Sequence, residues 1–137
     1  MKYKIAVEKG KKGKCSANLH GTIIIGLQKG YTNFKLEKQA VLRVLGALQQ
    51  RLPQISFVVK DAIVAYSYTK KDQIFFEQEP VLELSSDKSP LYSTDMTDKE
   101  WKDLFISYAE KLGESFEQFR MYITFSVVES IILERTK

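Results

Sequence analysis

The stretch ISFVVKDAIVAYSYTKKDQIFFEQEPVLEL, residues 55–84, decides the fold. Ile55 to Tyr68 and Gln73 to Leu84 are rich in β-branched and aromatic residues and read as two strands. Thr69-Lys70-Lys71-Asp72 is the polar turn that joins them as a hairpin. In the second strand Ile74, Phe76, Leu82 and Leu84 share one face, and Glu77, Glu79 and Glu83 share the other. Pro80 interrupts it. Proline brings no ladder donor, so this strand is expected at a sheet edge or bulged at Pro80.

A helix pattern flanks the hairpin on each side. From Leu36 to Leu52, the residues Val41, Val44, Leu45, Leu48 and Leu52 fall on one stripe. Asn33 or Thr32 is positioned to cap its start, and Pro53 marks its end. Downstream, Thr97-Asp98-Lys99-Glu100 is a capping box, with Met96 and Trp101 placed as a hydrophobic staple. Trp101, Leu104, Phe105, Tyr108 and Leu112 form the buried stripe. Gly113 is read as the C-terminal stop, with Phe116 and Phe119 in a short helical extension.

Strands complete the pattern. Lys2 to Glu8 alternates and Thr22 to Leu27 is β-branched and apolar, and both read as strands. KGKKGK, residues 9–14, is a turn or loop between them. Met121 to Arg135 reads as one long strand, with Ile123, Phe125, Val127, Ile131 and Leu133 on one face and Glu129 as the break. A helix over the same residues is the competing reading. The order β-β-α-β-β-α-β predicts one α+β domain over residues 1–137: a mainly antiparallel sheet of about five strands with two helices on one face. Without its first strand the order is βαββαβ, the ferredoxin-like pattern.

Charge is distributed unevenly. Residues 1–40 hold nine lysines against Glu8 and Glu37, a balance of +7, while the remainder carries −3, giving +4 in all. Such a bipolar charge suits docking onto an anionic partner. Cys15 is the only cysteine, which excludes an internal disulfide and a cysteine-rich metal site. His20 is the only histidine, which excludes a multi-histidine zinc site and any relay needing two imidazoles. His20 is expected to make a single hydrogen bond near a strand start. No signal-peptide core or membrane-length apolar run occurs, so the expected location is cytoplasmic, away from membranes.

Four groups of residues bear on function. Lys9, Lys11, Lys12 and Lys14 form the densest basic feature and suit a phosphate backbone, although no interleaved aromatics accompany them. The loop Gly26-Leu27-Gln28-Lys29-Gly30-Tyr31-Thr32 lies between a strand and a helix start. Gly26, Lys29, Gly30 and Thr32 are its candidate anion-binding residues. Its spacing departs from a Walker loop: three residues separate the glycines, and Tyr31 stands where lysine is required. A solvated lysine turn and a glycine-dependent strand-to-helix connection explain both features without a ligand. Tyr66, Tyr68 and Tyr122 alternate outward on strands and suit a protein interface. Glu77, Glu79 and Glu83, with Asp87 beyond, and Glu129 are the carboxylates available for acid–base work. A row of exposed acids also protects a sheet edge from aggregation.

The leading expectation is a non-enzymatic binding protein that engages nucleic acid or a phosphorylated small molecule through the basic N-terminal hairpin. The alternative is a protein-binding adaptor or inhibitor acting through a sheet edge or the tyrosine face. The third is a small enzyme working with carboxylates, tyrosines and lysines. No metal or cofactor is expected. The long final strand is compatible with a homodimer.

Overall fold

Lys71 and Asp72 both have positive φ, 51° and 60°. Positive φ at both central positions makes a two-residue type I′ turn, whose twist matches the strands it joins. It connects β3 (Val58–Lys70) to β4 (Gln73–Asp87), so the turn is two residues shorter than the sequence pattern implies. The computed structural model describes residues 2–5, 16–27, 35–88 and 95–136. The other elements are β1 (Tyr3–Ile5), β2 (Ser16–Gly26), α1 (Lys38–Gln49), α2 (Asp98–Ser115), β5 (Tyr122–Ser130) and β6 (Leu133–Arg135).

Four strands form an antiparallel sheet in the order β3-β4-β2-β5. With its two helices the fold is α+β, and this strand order is the ferredoxin-like one. The expected fifth strand does not join it. β1 instead pairs antiparallel with β6 in a separate two-stranded sheet, Lys4 opposite Glu134. The long final strand is thus two strands, divided at Ile131 and Ile132. Of its apolar row, Ile123 and Phe125 pack on the core, while Val127, Ile131 and Leu133 are exposed.

β4 lies inside the sheet, yet Pro80 leaves no ladder donor missing there. The β2–β4 pairing ends with Gly26 opposite Val81, and the Leu27 N–H then reaches the Pro80 carbonyl at 3.1 Å. The proline stands one residue past the end of β2, and the Leu27 carbonyl there accepts from the Leu36 N–H at 2.8 Å, so it needs no donor from Pro80. Beyond it, among the described residues, β3 and β4 pair only with each other, from Ile63 opposite Pro80 to Lys70 opposite Gln73, as a two-stranded arm.

The core lies between the sheet and the helices. Val41, Leu45 and Leu48 of α1 and Trp101, Phe105, Tyr108 and Leu112 of α2 cover Ile23, Ile25, Leu82 and Leu84. Burial of each such side chain is worth about 1.5–3 kcal/mol. The Phe105 ring packs at 5.8 Å from Phe57 and 5.5 Å from Phe125, crossing the sheet directly over Gly21. The Tyr108 hydroxyl donates to the Pro53 carbonyl at 2.8 Å, tying α2 to the segment after α1. Burial raises the Tyr108 phenol above its ordinary pKa, with a backbone hydrogen bond at Ile55 opposing it.

The helix ends show where local patterns held and where packing overrode them. Thr97 and Glu100 form the reciprocal capping box, and Met96 packs against the core that holds Trp101. α1 begins with Glu37 at its N-cap position and no side-chain cap bond; Thr32 and Asn33 lie outside the described residues. Gly113 lies within α2 rather than at its end. A Cβ there would meet the flexible end of the Met121 side chain, so Gly113 marks a close approach between α2 and the chain after it, not the end of the helix. The chain leaves α2 at Phe116, which is buried, and turns with Glu117 at φ 50°. Phe119 is exposed and belongs to no helical extension. Among the described residues no helix is long and apolar enough to cross a membrane.

Candidate functional site

The arm brings together residues that the sequence places on separate strands. Its register sets Tyr66 opposite Glu77, Val64 opposite Glu79 and Tyr68 opposite Phe75. Alternation then puts Val64, Tyr66, Tyr68, Phe75, Glu77 and Glu79 on one side, which is the sheet side away from the helices. The Tyr66 hydroxyl donates to Glu79 at 3.2 Å, and the Tyr68 hydroxyl to Glu77 at 3.4 Å. Each bond runs diagonally, one register step from the directly opposed pair. The rings form a continuous row, with Tyr66 and Tyr68 centred 6.3 Å apart and Tyr68 stacked on Phe75 at 5.4 Å.

Electrostatics follow from this geometry. Desolvation by its neighbours, then the Glu79 hydrogen bond and the Glu79 and Glu77 charges, raise the Tyr66 phenol above its ordinary pKa. Tyr66 therefore stays protonated at neutral pH and acts as a donor. Two carboxylates held beside two aromatic rings make a surface suited to a cation, because ring faces and anions attract positive charge together.

The remaining acids go elsewhere. Glu83 lies opposite Lys60 on β3 and opposite Ile24 on β2. Asp87 lies opposite His20, and its carboxylate meets His20 Nδ1 at 2.6 Å. The second ring nitrogen, Nε2, lies 3.4 Å from the Thr22 hydroxyl. His20 thus has two partners within β2 and β4, not one. Glu129 is exposed on β5 opposite Ala17, so it is not a buried carboxylate. Among the described residues no group of three or more His, Cys, Asp or Glu side chains could hold a metal ion.

The structure thus places some candidate residues together and leaves others apart. Tyr66 and Tyr68 adjoin on the arm. Tyr122 lies on the same side of the sheet, in the cross-strand row of Lys60, Glu83 and Ile24. That row is about 20 Å along β3 from Tyr66. Gly26 ends β2, and its N–H donates to the Gln118 side chain at 3.1 Å. Lys9, Lys11, Lys12, Lys14, Cys15, Lys29, Gly30 and Thr32 lie outside the described residues. The Tyr–Glu pairing itself was missed at the level of sequence. The signal for it is the turn: a two-residue turn at Lys71-Asp72 fixes Tyr66 opposite Glu77 by counting back.

No family model matches the sequence, and no curated protein matches it. Solved structures do. The chain is similar to a phage SAM lyase in complex with S-methyl-5′-thioadenosine, at a TM-score of 0.55 and 15% identity. That match covers 84% of this chain and 90% of the other. It is similar also to a phage SAM lyase in its apo state, at a TM-score of 0.56 and 14% identity, over 88% of this chain and 91% of the other. At these identities the likeness is one of fold.

Proposed function

We propose that this chain is a small enzyme that cleaves S-adenosylmethionine, with Tyr66, Tyr68, Glu77 and Glu79 as its substrate-binding face. The reading rests on the Tyr66–Glu79 and Tyr68–Glu77 pairs, carried on a fold shared nearly end to end with a SAM lyase. It corresponds to the third expectation from sequence, a small enzyme working with carboxylates, tyrosines and lysines.

The chemistry suits the face. S-adenosylmethionine carries a sulfonium and an ammonium, both cationic, for which carboxylates and aromatic rings are the complementary groups. The SAM lyase complex holds S-methyl-5′-thioadenosine. Relative to S-adenosylmethionine, that compound retains the sulfur, its methyl group and the adenosine. The bond that breaks therefore joins sulfur to the amino-acid side chain, and its electron pair returns to sulfur. A lyase adds no water, so the departing carbon takes its new bond from within the substrate. The substrate's own carboxylate closes a five-membered lactone, and no proton enters or leaves. The protein's part is to hold the two ends in that geometry. Glu77 and Glu79 hold the cationic groups, the rings of Tyr66 and Tyr68 flank the sulfonium, and the protonated Tyr66 hydroxyl fixes Glu79. Charge is neutralised along the reaction, so a surrounding of aromatic rings favours it over bulk water.

The test is release of S-methyl-5′-thioadenosine from S-adenosylmethionine by the purified chain, compared with Glu77→Gln and Glu79→Gln. Release by the unaltered protein and its loss in the variants is the expected result. Equal release by all three would remove these carboxylates from the site.

A further inference from the structure

We propose that Asp87, His20 and Thr22 form a second catalytic site, which transfers the acyl group of a small neutral ester to the Thr22 hydroxyl and then to water. The site is separate from the arm, since Asp87 lies about 26 Å along β4 from Glu79.

Register builds it. Asp87, His20 and Ser126 form one row across β4, β2 and β5, and Ser85, Thr22 and Thr124 form the next row on the same side. These residues alternate with Ile23, Leu84 and Phe125, which pack on the core, so both rows lie on the side away from the helices. The side chains of His20 and Asp87 are 33% and 52% exposed, which leaves the pair open to a ligand.

The order of contacts is that of an activated hydroxyl. Asp87 meets His20 Nδ1 at 2.6 Å, and Nε2 faces Thr22 Oγ1 at 3.4 Å. A carboxylate only accepts, so Nδ1 carries the proton of the neutral imidazole and Nε2 presents its lone pair to the hydroxyl. A base beside a hydroxyl, itself oriented by a third group, turns a weak nucleophile into an effective one, and such bonds are often long before substrate binds. A pair that served only to hold β2 against β4 would need Asp87 and His20 alone. Here the second ring nitrogen also has a hydroxyl, and that hydroxyl is flanked by others on both neighbouring strands. Directly opposed side chains lie about 5 Å apart, which brings the Ser85 and Thr124 hydroxyls within reach of an oxyanion formed at Thr22. In the following row, Glu83, Ile24 and Tyr122, the isoleucine and the tyrosine ring give the apolar part of an ester a seat.

The steps balance. Thr22 Oγ1 bonds to the carbonyl carbon as its proton passes to Nε2. The bond to the leaving alcohol then breaks, and the alcohol oxygen takes that proton. Water attacks the acyl-threonine with His20 again as base, which releases the acid and restores the hydroxyl.

The probe is p-nitrophenyl acetate, and the purified chain should release p-nitrophenol from it. Thr22→Val keeps the β-branched shape and leaves His20 in place, yet should lower release by about tenfold or more, as should His20→Gln and Asp87→Asn. Thr22→Ser should retain it. Far-UV circular dichroism checks the fold of each variant, and Thr22→Ala serves if the valine variant does not fold. Release no faster than in a protein-free control would overturn the proposal. So would release retained by folded Thr22→Val, His20→Gln or Asp87→Asn; retention by Thr22→Val is the result for a bare surface imidazole that attacks the ester directly. Cleavage of S-adenosylmethionine should be unaffected by Thr22→Val, so the two sites fail separately.

Discussion

The Tyr66 hydroxyl donates to Glu79, although Glu77 is the residue directly opposite Tyr66 in the ladder. The tyrosine reaches one register step along, and Tyr68 does the same toward Glu77. Both carboxylates are thereby fixed on an exposed ribbon, where unpaired glutamates would rotate freely. Fixing them costs side-chain entropy. That cost is consistent with a binding face and is unnecessary for a merely solvated one.

This bond has a titration signature. Desolvation and the two carboxylates hold the Tyr66 phenol above its ordinary pKa, and Glu79 supplies both a hydrogen bond and a charge. Glu79→Gln removes the charge, so the Tyr66 midpoint should fall toward the ordinary tyrosine value. NMR of carbon-labelled tyrosine, assigned with Tyr66→Phe, measures it. A midpoint unmoved by Glu79→Gln would show that the carboxylate does not act on the phenol.

Activity should separate the arm from the basic N-terminal segment. Glu77→Gln and Glu79→Gln are expected to lower kcat/KM for S-adenosylmethionine by about tenfold or more, as for loss of a charged contact worth at least ~1.4 kcal/mol. Changing Lys9, Lys11, Lys12 and Lys14 together to Gln should leave it within about twofold. The reverse pattern would return attention to the anion-binding expectation.

Two stability predictions test the scaffold that positions the arm. Thr97→Ala removes the hydroxyl that accepts from the Glu100 N–H at 3.1 Å. Urea unfolding should register a loss of about 1 kcal/mol, the usual worth of a capping side chain.

Gly21→Ala places a Cβ about 2.9 Å from the Phe105 ring, closer than carbon atoms pack. Phe105 is wholly buried between Phe57, Trp101 and Phe125, so it cannot swing aside. Overpacking of this kind costs about 1–3 kcal/mol, read as a lower urea midpoint. An unchanged midpoint would mean that α2 shifts away from the sheet without cost.

Features decided within a few residues were legible in the sequence. The Thr97–Glu100 capping box and the Val41–Leu45–Leu48 stripe depend on neighbours along one helix. Pro80 was read as the sign of an edge strand or a bulge; it stands instead where β2 ends beside β4, and the length of β2 is a long-range property. Gly113 was misread for a similar reason, since its neighbour Met121 meets it only after the chain turns at Glu117. The pairing of β1 with β6 joins the two ends of the chain and leaves no local trace.

The site was half legible. Tyr66, Tyr68, Glu77 and Glu79 stand out by type, but their meeting depends on register. A four-residue turn at 69–72 would move every pair by two residues, setting Tyr66 opposite Phe75 instead of Glu77. The exposure of Ile63, Ile74 and Phe76 was hidden altogether, because strand alternation reads the same whether or not a helix lies above it.

Cleavage of S-adenosylmethionine is read by mass spectrometry of the small molecules after incubation with the purified chain. S-methyl-5′-thioadenosine and homoserine lactone are expected in equal amounts, accumulating with time and protein concentration. S-adenosylmethionine recovered unchanged at the rate of a protein-free control would contradict it.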